Sequence, residues 1–230
     1  MSLMENKFNP ADIVIVGDSF CANRTKPKYW PNKLVELLSG DGTVVRGKGF
    51  SGASWWSARC ELIRQLEILP PKVLILCHTE ASRIHSPKNF PLNYSTVFAE
   101  GEKFLPHTMG KNYRIIQEAG RYYYKFLHCD EWDKWTQTSW YKELEELIEQ
   151  YTIPYVIHLF CFDDSSSSFK FKHGLASTET LITLSERQPG GFNHFSEQAN
   201  ISIATAIADM ITDHYEDGVV KDFNLLKLCK

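Results

Sequence analysis

Four short stretches of this chain carry residues that could do chemistry. The first is Gly17-Asp18-Ser19-Phe20, which directly follows the apolar run from Asp12 to Val16. A serine hydroxyl at a strand end becomes a nucleophile once a base takes its proton. The second is "GKGFSGAS", residues 47 to 54. A glycine N–H facing a cavity can bind the oxyanion that develops during acyl transfer. The third is "CHTEASR", residues 77 to 83, with a hydroxyl at Thr79, a carboxylate at Glu80 and a cation at Arg83. The fourth is "GGFNHFSEQAN", residues 190 to 200, with His194 in a glycine-bounded turn. Imidazole is the usual base for a serine. Taken singly, each stretch also has an ordinary reading: a helix cap at Ser19, a strand-to-helix turn at Gly52, loop polarity at Thr79, a surface residue at His194.

The elements that must position these residues follow from periodicity. Asp12 to Val16 and Lys72 to Cys77 are short and apolar on both parities, as strands buried on both faces should be. Pro154 to Phe162 reads the same way; Thr43 to Arg46 and Leu181 to Leu184 are further strand candidates. Helical spacing predicts helices at Trp30 to Leu38, Ser54 to Leu69, within residues 113 to 151, and at Ser196 to Tyr215. The apolar side of the second is expected to comprise Trp55, Cys60, Leu62, Ile63, Leu66 and Ile68. Pro70-Pro71 stops it. Alternating strands and helices predict an α/β domain: three layers, α/β/α, around a flavodoxin-like parallel sheet of about five strands. One domain over residues 1 to 230 is expected, with a helical and loop insertion at about 81 to 151. Ligands of such sheets sit at the carboxyl ends of the strands, where all four stretches lie.

In this order the four stretches resemble the SGNH (GDSL-type) hydrolase superfamily. Gly17-Asp18-Ser19-Phe20 matches its first block. Gly49-Phe50-Ser51-Gly52-Ala53-Ser54 matches the glycine turn of its second, and His194, just before the last helix, matches its last. The likeness covers residues 12 to 80 and 154 to 212. It implies the SGNH hydrolase fold and a shallow active site. Ser19 would attack an acyl carbonyl, His194 would relay the proton, and the N–H groups of Ser19 and Gly52 would hold the oxyanion. Two positions depart from the pattern. Thr79 stands where the family has an oxyanion-hole asparagine, with Glu80 at its aspartate. Gly191 stands three residues before His194, where the family has its acid. Either a backbone carbonyl orients His194, giving a dyad, or Asp163, Asp164 or Glu186 reaches in. Asp18 is expected to bond nearby loop backbone rather than to serve as that acid.

The rest of the sequence narrows the choice. A net charge of −3 gives no basic field for nucleic acid. No stretch of 18 apolar residues predicts a membrane span, and the start of the chain lacks a signal-peptide core, so a cytoplasmic setting is expected. Six scattered cysteines without a CxxC pair suggest reduced thiols; Cys60, Cys77 and Cys161 are expected in the core. His78, Glu80, His85, His128, Cys129 and Asp130 have no metal-ligand spacing, so no metal or cofactor is expected. The aromatic stretch from Tyr122 to Tyr141 is read as core packing, and Trp55 or Trp56 as a cleft wall. The functional expectation is a serine esterase or deacylase acting on a small-molecule or carbohydrate ester, with O-acetyl groups on a carbohydrate as the narrower reading. The alternatives are an SGNH-fold binding or assembly module with weakened chemistry, and a flavodoxin-like nucleotide binder. The last lacks a phosphate-cradling loop after the first strand.

Overall fold

The structure, a computed structural model, describes residues 13–22, 29–39, 45–86, 92–98, 112–162, 169–187 and 195–214. Among the described residues, four strands form one all-parallel sheet: β1 (Ile13–Gly17), β2 (Val73–His78), β3 (Tyr155–Phe160) and β4 (Leu175–Thr180), in the spatial order β1-β2-β3-β4. The helices are α1 (Trp30–Ser39), α2 (Trp55–Ile68), α3 (Tyr94–Phe98), α4 (Asn112–Phe126), α5 (Asp130–Gln150), α6 (Leu181–Arg187) and α7 (Glu197–His214). On the free edge of β1, Arg46 pairs with Val14 and Gly49 with Gly17, both in parallel. Of the expected second strand, Thr43 to Arg46, residues 43 and 44 lie outside the described residues, and Arg46 makes an isolated bridge.

The two parities of each strand face different layers. Ile13, Ile15, Val73, Ile75, Ile157 and Leu159 pack with α1, α6 and α7. Val14, Val16, Leu74, Leu76 and Val156 pack with α2 and α5. This alternation is the physical content of the α/β/α prediction, and every one of these ten or so residues is almost fully buried. A smaller cluster of Leu92, Val97, Tyr113 and Tyr124 lies under α3 and α4.

Several sequence expectations are corrected. Leu181 to Leu184 forms the first turn of α6, while the strand is the preceding, more polar Leu175–Thr180. The apolar period misled because Leu181 and Leu184 bury one helical face. On α2 the buried face is Ala58, Glu61, Leu62, Gln65 and Leu66, whereas Cys60 and Ile68 are exposed. Cys21 takes the core place that Cys60 was expected to fill. Of the aromatic stretch, Tyr124, Trp140 and Tyr141 are buried, but Tyr122, Phe126, Trp132 and Trp135 are exposed. Ile201 on α7 is also exposed. Among the described residues no helix is long and apolar enough to cross a membrane.

Candidate active site

β1, β2 and β3 end side by side, and Asp18, Thr79 and Cys161 follow their last residues by one. Beyond Gly17 the chain enters a single 3₁₀ turn, Ser19–Cys21. Asp18 caps it, its Oδ1 accepting the Phe20 N–H at 2.9 Å. Ser19 is partly exposed, and its hydroxyl makes no hydrogen bond to a described residue. As expected from helical spacing, α1 begins at Trp30, so among the described residues the helical N–H groups nearest Ser19 are those of one short turn.

The Gly52 loop is tied directly to that turn. Gly49 N–H donates to Cys21 O at 3.3 Å and Phe50 N–H to Gly17 O at 3.2 Å. Gly49 must be glycine: a Cβ there would lie less than 3.0 Å from the Asp18 carbonyl oxygen. Ala53 N–H donates to Phe50 O at 3.1 Å, closing a turn whose third residue, Gly52, has φ of 76°. That is the type II arrangement, which favours glycine at this position. The Gly52 N–H has no acceptor among the described residues, as an oxyanion donor requires.

Thr79 is buried, and its hydroxyl donates to Asp18 Oδ2 at 3.4 Å. Its one proton is therefore directed at a carboxylate. Asp18 is the hub of the strand ends. Besides Phe20 and Thr79 it accepts the Cys161 thiol at 3.2 Å, and Arg83 Nη1 stands 3.6 Å from Oδ2. Burial raises the Asp18 pKa; Arg83, the Phe20 N–H and Cys161 oppose this, while Glu80 adds to it. Arg83 also donates from Nη1 to the Ala53 carbonyl at 3.3 Å and pairs through Nη2 with Glu80. Burial disfavours its charge, but Glu80 and Asp18 more than compensate and hold its pKa above the ordinary value. Glu80 in turn accepts both bonds of the Asn93 amide, at 2.7 and 2.9 Å. One guanidinium thus joins the Ser19 turn, the Gly52 loop and the segment after β2.

His194, Gly191, Asp163 and Asp164 lie outside the described residues. Glu186 is exposed on α6. Phe195, which follows His194 in sequence, is buried against Phe20, which follows Ser19; their ring centroids are 5.5 Å apart. The structure brings Ser19, Gly52 and Thr79 to one edge of the sheet. It also adds residues that the motifs did not single out. Arg83 had a signal, since it stands three residues after Glu80. Asn93 and Gln137 had none. Gln137 and Trp140 of α5 join Trp55, His78 and Thr79 around a small cavity on the α2 side of the sheet. Trp55 is thus a wall beside Thr79, while Trp56 is exposed. Among the described residues, no group of three or more His, Cys, Asp or Glu could hold a metal ion.

Compared with protein-family models, curated proteins and solved structures, the chain matches none of them.

Proposed function

We propose that the chain is a serine esterase or deacylase of the SGNH type, with Ser19 as nucleophile and His194 as base. Ser19 Oγ attacks the acyl carbonyl, and its proton passes to His194. The oxyanion is held by the Ser19 and Gly52 N–H groups. The alcohol leaves with the proton from His194, and water then hydrolyses the acyl-enzyme. O-acetyl groups on a carbohydrate are the narrower substrate reading, favoured by the aromatic Trp55 and Trp56 beside the loop. The observation that supports this most is the contact between Phe20 and Phe195, because it joins the chain one residue from Ser19 to the chain one residue from His194. The unbonded Ser19 hydroxyl and Gly52 N–H are compatible with it.

A second reading is a binding or assembly module with weakened chemistry. It is favoured by the Thr79 hydroxyl, which is spent on Asp18 and so offers no third oxyanion donor in this arrangement. Hydrolysis of p-nitrophenyl acetate separates the two. The hydrolase reading expects Ser19→Ala and His194→Ala each to lower kcat at least about a hundredfold. It also expects a fluorophosphonate to label the wild type at Ser19. Turnover equal to both variants, with no labelling, leaves the binding module.

A further inference from the structure

Beside Thr79, on the face of the sheet covered by α2 and α5, the small cavity has aromatic walls and two polar residues, each with an atom that has no partner among the described residues. Trp55, Trp140 and Tyr141 wall it, and Gln137 and His78 supply the polarity. Measured by the centre of a water-sized sphere, its volume is about 10 Å³, room for one oxygen-sized group. Gln137 is 4% exposed, and its Nε2 has no hydrogen-bond acceptor among the described residues. A buried amide N–H left unpaired is destabilising, so a partner is expected there.

The hydrogen-bond network assigns what His78 can offer. Glu145 accepts His173 Nδ1–H at 2.8 Å and also the Lys172 N–H at 3.1 Å, which fixes the segment before β4. The His173 carbonyl lies 3.0 Å from His158 Nε2, and a carbonyl only accepts. His158 therefore carries its proton on Nε2 and presents a bare Nδ1. His78 Nε2, 3.0 Å away, must donate to it. With both imidazoles neutral, the remaining nitrogen of His78, Nδ1, is an acceptor, and no described residue donates to it. The stacked rings of Phe171 and Phe160 hold the His78 imidazole in this orientation.

Gln137 and His78 both line the cavity, so its polar lining can offer a hydroxyl group one donor and one acceptor. Thr79 is shared between this cavity and the Asp18 turn, and Trp55 follows the end of the Gly52 loop. We propose that the cavity receives a substrate hydroxyl, so that the protein selects esters with a free hydroxyl close to the scissile carbonyl. This rests on the hydrolase reading of Ser19. In size the space suits one water. A substrate hydroxyl can replace it with the same two bonds, whereas a methyl group would leave both partners stranded. The hydroxyl can belong to the acyl side, as in a 2-hydroxyacyl ester, or to the alcohol side, as in a polyol monoester.

The test compares ethyl glycolate, glycerol 1-acetate and ethyl acetate on the wild type and on Gln137→Met. At least one hydroxylated ester should be preferred about tenfold in kcat/KM, and the preference should fall to near one in Gln137→Met. Which ester is favoured distinguishes the acyl side from the alcohol side. The second arm titrates Ser19→Ala with the same esters and follows the His78 imidazole nitrogens by NMR. The hydroxylated ester should shift Nδ1, and ethyl acetate should not. Turnover without preference overturns the inference and leaves the hydrolase intact. Without turnover of any ester, the hydrolase reading falls. The Nδ1 shift then decides the cavity alone: its presence keeps the hydroxyl site, and its absence ends it.

Discussion

Acid should weaken this fold through the His78–His158 pair before most carboxylates are protonated. Both imidazoles are buried and neutral. Burial lowers the His158 pKa from 6.5 to about 4, the His173 carbonyl partly opposing this. Burial, then the neighbouring His158, keeps His78 well below its ordinary value. The sign follows from proton counts. Below pH 6.5 the unfolded chain binds protons at these positions and the folded chain does not, so stability falls as pH falls toward the folded pKa. For His158 the gap of about 2.5 pH units corresponds to about 3 kcal/mol in full, of which about 2.5 kcal/mol is lost between pH 7.5 and 4.5. Asp18, whose pKa is raised, pulls the opposite way at the low end of this range, and so does Asp133. A difference measurement removes them. His158→Gln keeps a donor for the His173 carbonyl and an acceptor for His78, but it has no proton to gain. Urea unfolding at pH 7.5 and 4.5 should show the wild type losing about 2.5 kcal/mol more than the variant. An NMR titration in which folded His158 protonates with a midpoint above about 6 would refute the reasoning.

Further outcomes follow from the strand ends. Gly49→Ala drives a methyl against the Asp18 backbone carbonyl, which cannot swing aside like a flexible side chain, and should cost on the order of 2–3 kcal/mol in urea unfolding. A variant as stable as the wild type would contradict the close approach. Gly52→Ala forces a side chain to a φ of 76° and should cost about 1 kcal/mol while lowering ester turnover through kcat. Arg83→Met leaves the buried Asp18 and the half-buried Glu80 without their cation and should cost about 3–5 kcal/mol. Combining it with Asp18→Asn should recover part of that loss, measured as a double-mutant coupling. Asp18→Asn alone should abolish the stability that the wild type gains as pH falls from the raised Asp18 value toward 3.8.

The fold was legible where burial writes itself into local pattern. "DIVIV", "KVLILC" and "PYVIHLFCF" read as strands covered on both faces, and the strands Ile13–Gly17, Val73–His78 and Tyr155–Phe160 are buried throughout. Leu144 and Ile148 gave the inner face of α5 through simple helical spacing. Pattern failed where neighbours outside the segment decide. "LITL" is helix because its two leucines meet one core face, and "LASTET" is strand because β3 offers it a ladder. Cys60 and Trp135 look like core residues in a one-dimensional reading, yet their helices turn them to solvent.

The sequence by itself determined that a serine follows the first strand, a glycine turn follows the next crossover, and a histidine precedes the last helix. Those are facts of order, and order along the chain is all that a motif encodes. Only the tertiary structure decided what these residues touch. Gly49 fits against Asp18, Thr79 turns its proton to the same carboxylate, and Arg83 fastens the Gly52 loop across thirty residues. Gln137, on a helix with no motif at all, meets His78 in a cavity that no spacing announces. The reason is physical: a hydrogen bond depends on distances of about 3 Å in space, and the chain reaches such distances between residues that are far apart in sequence.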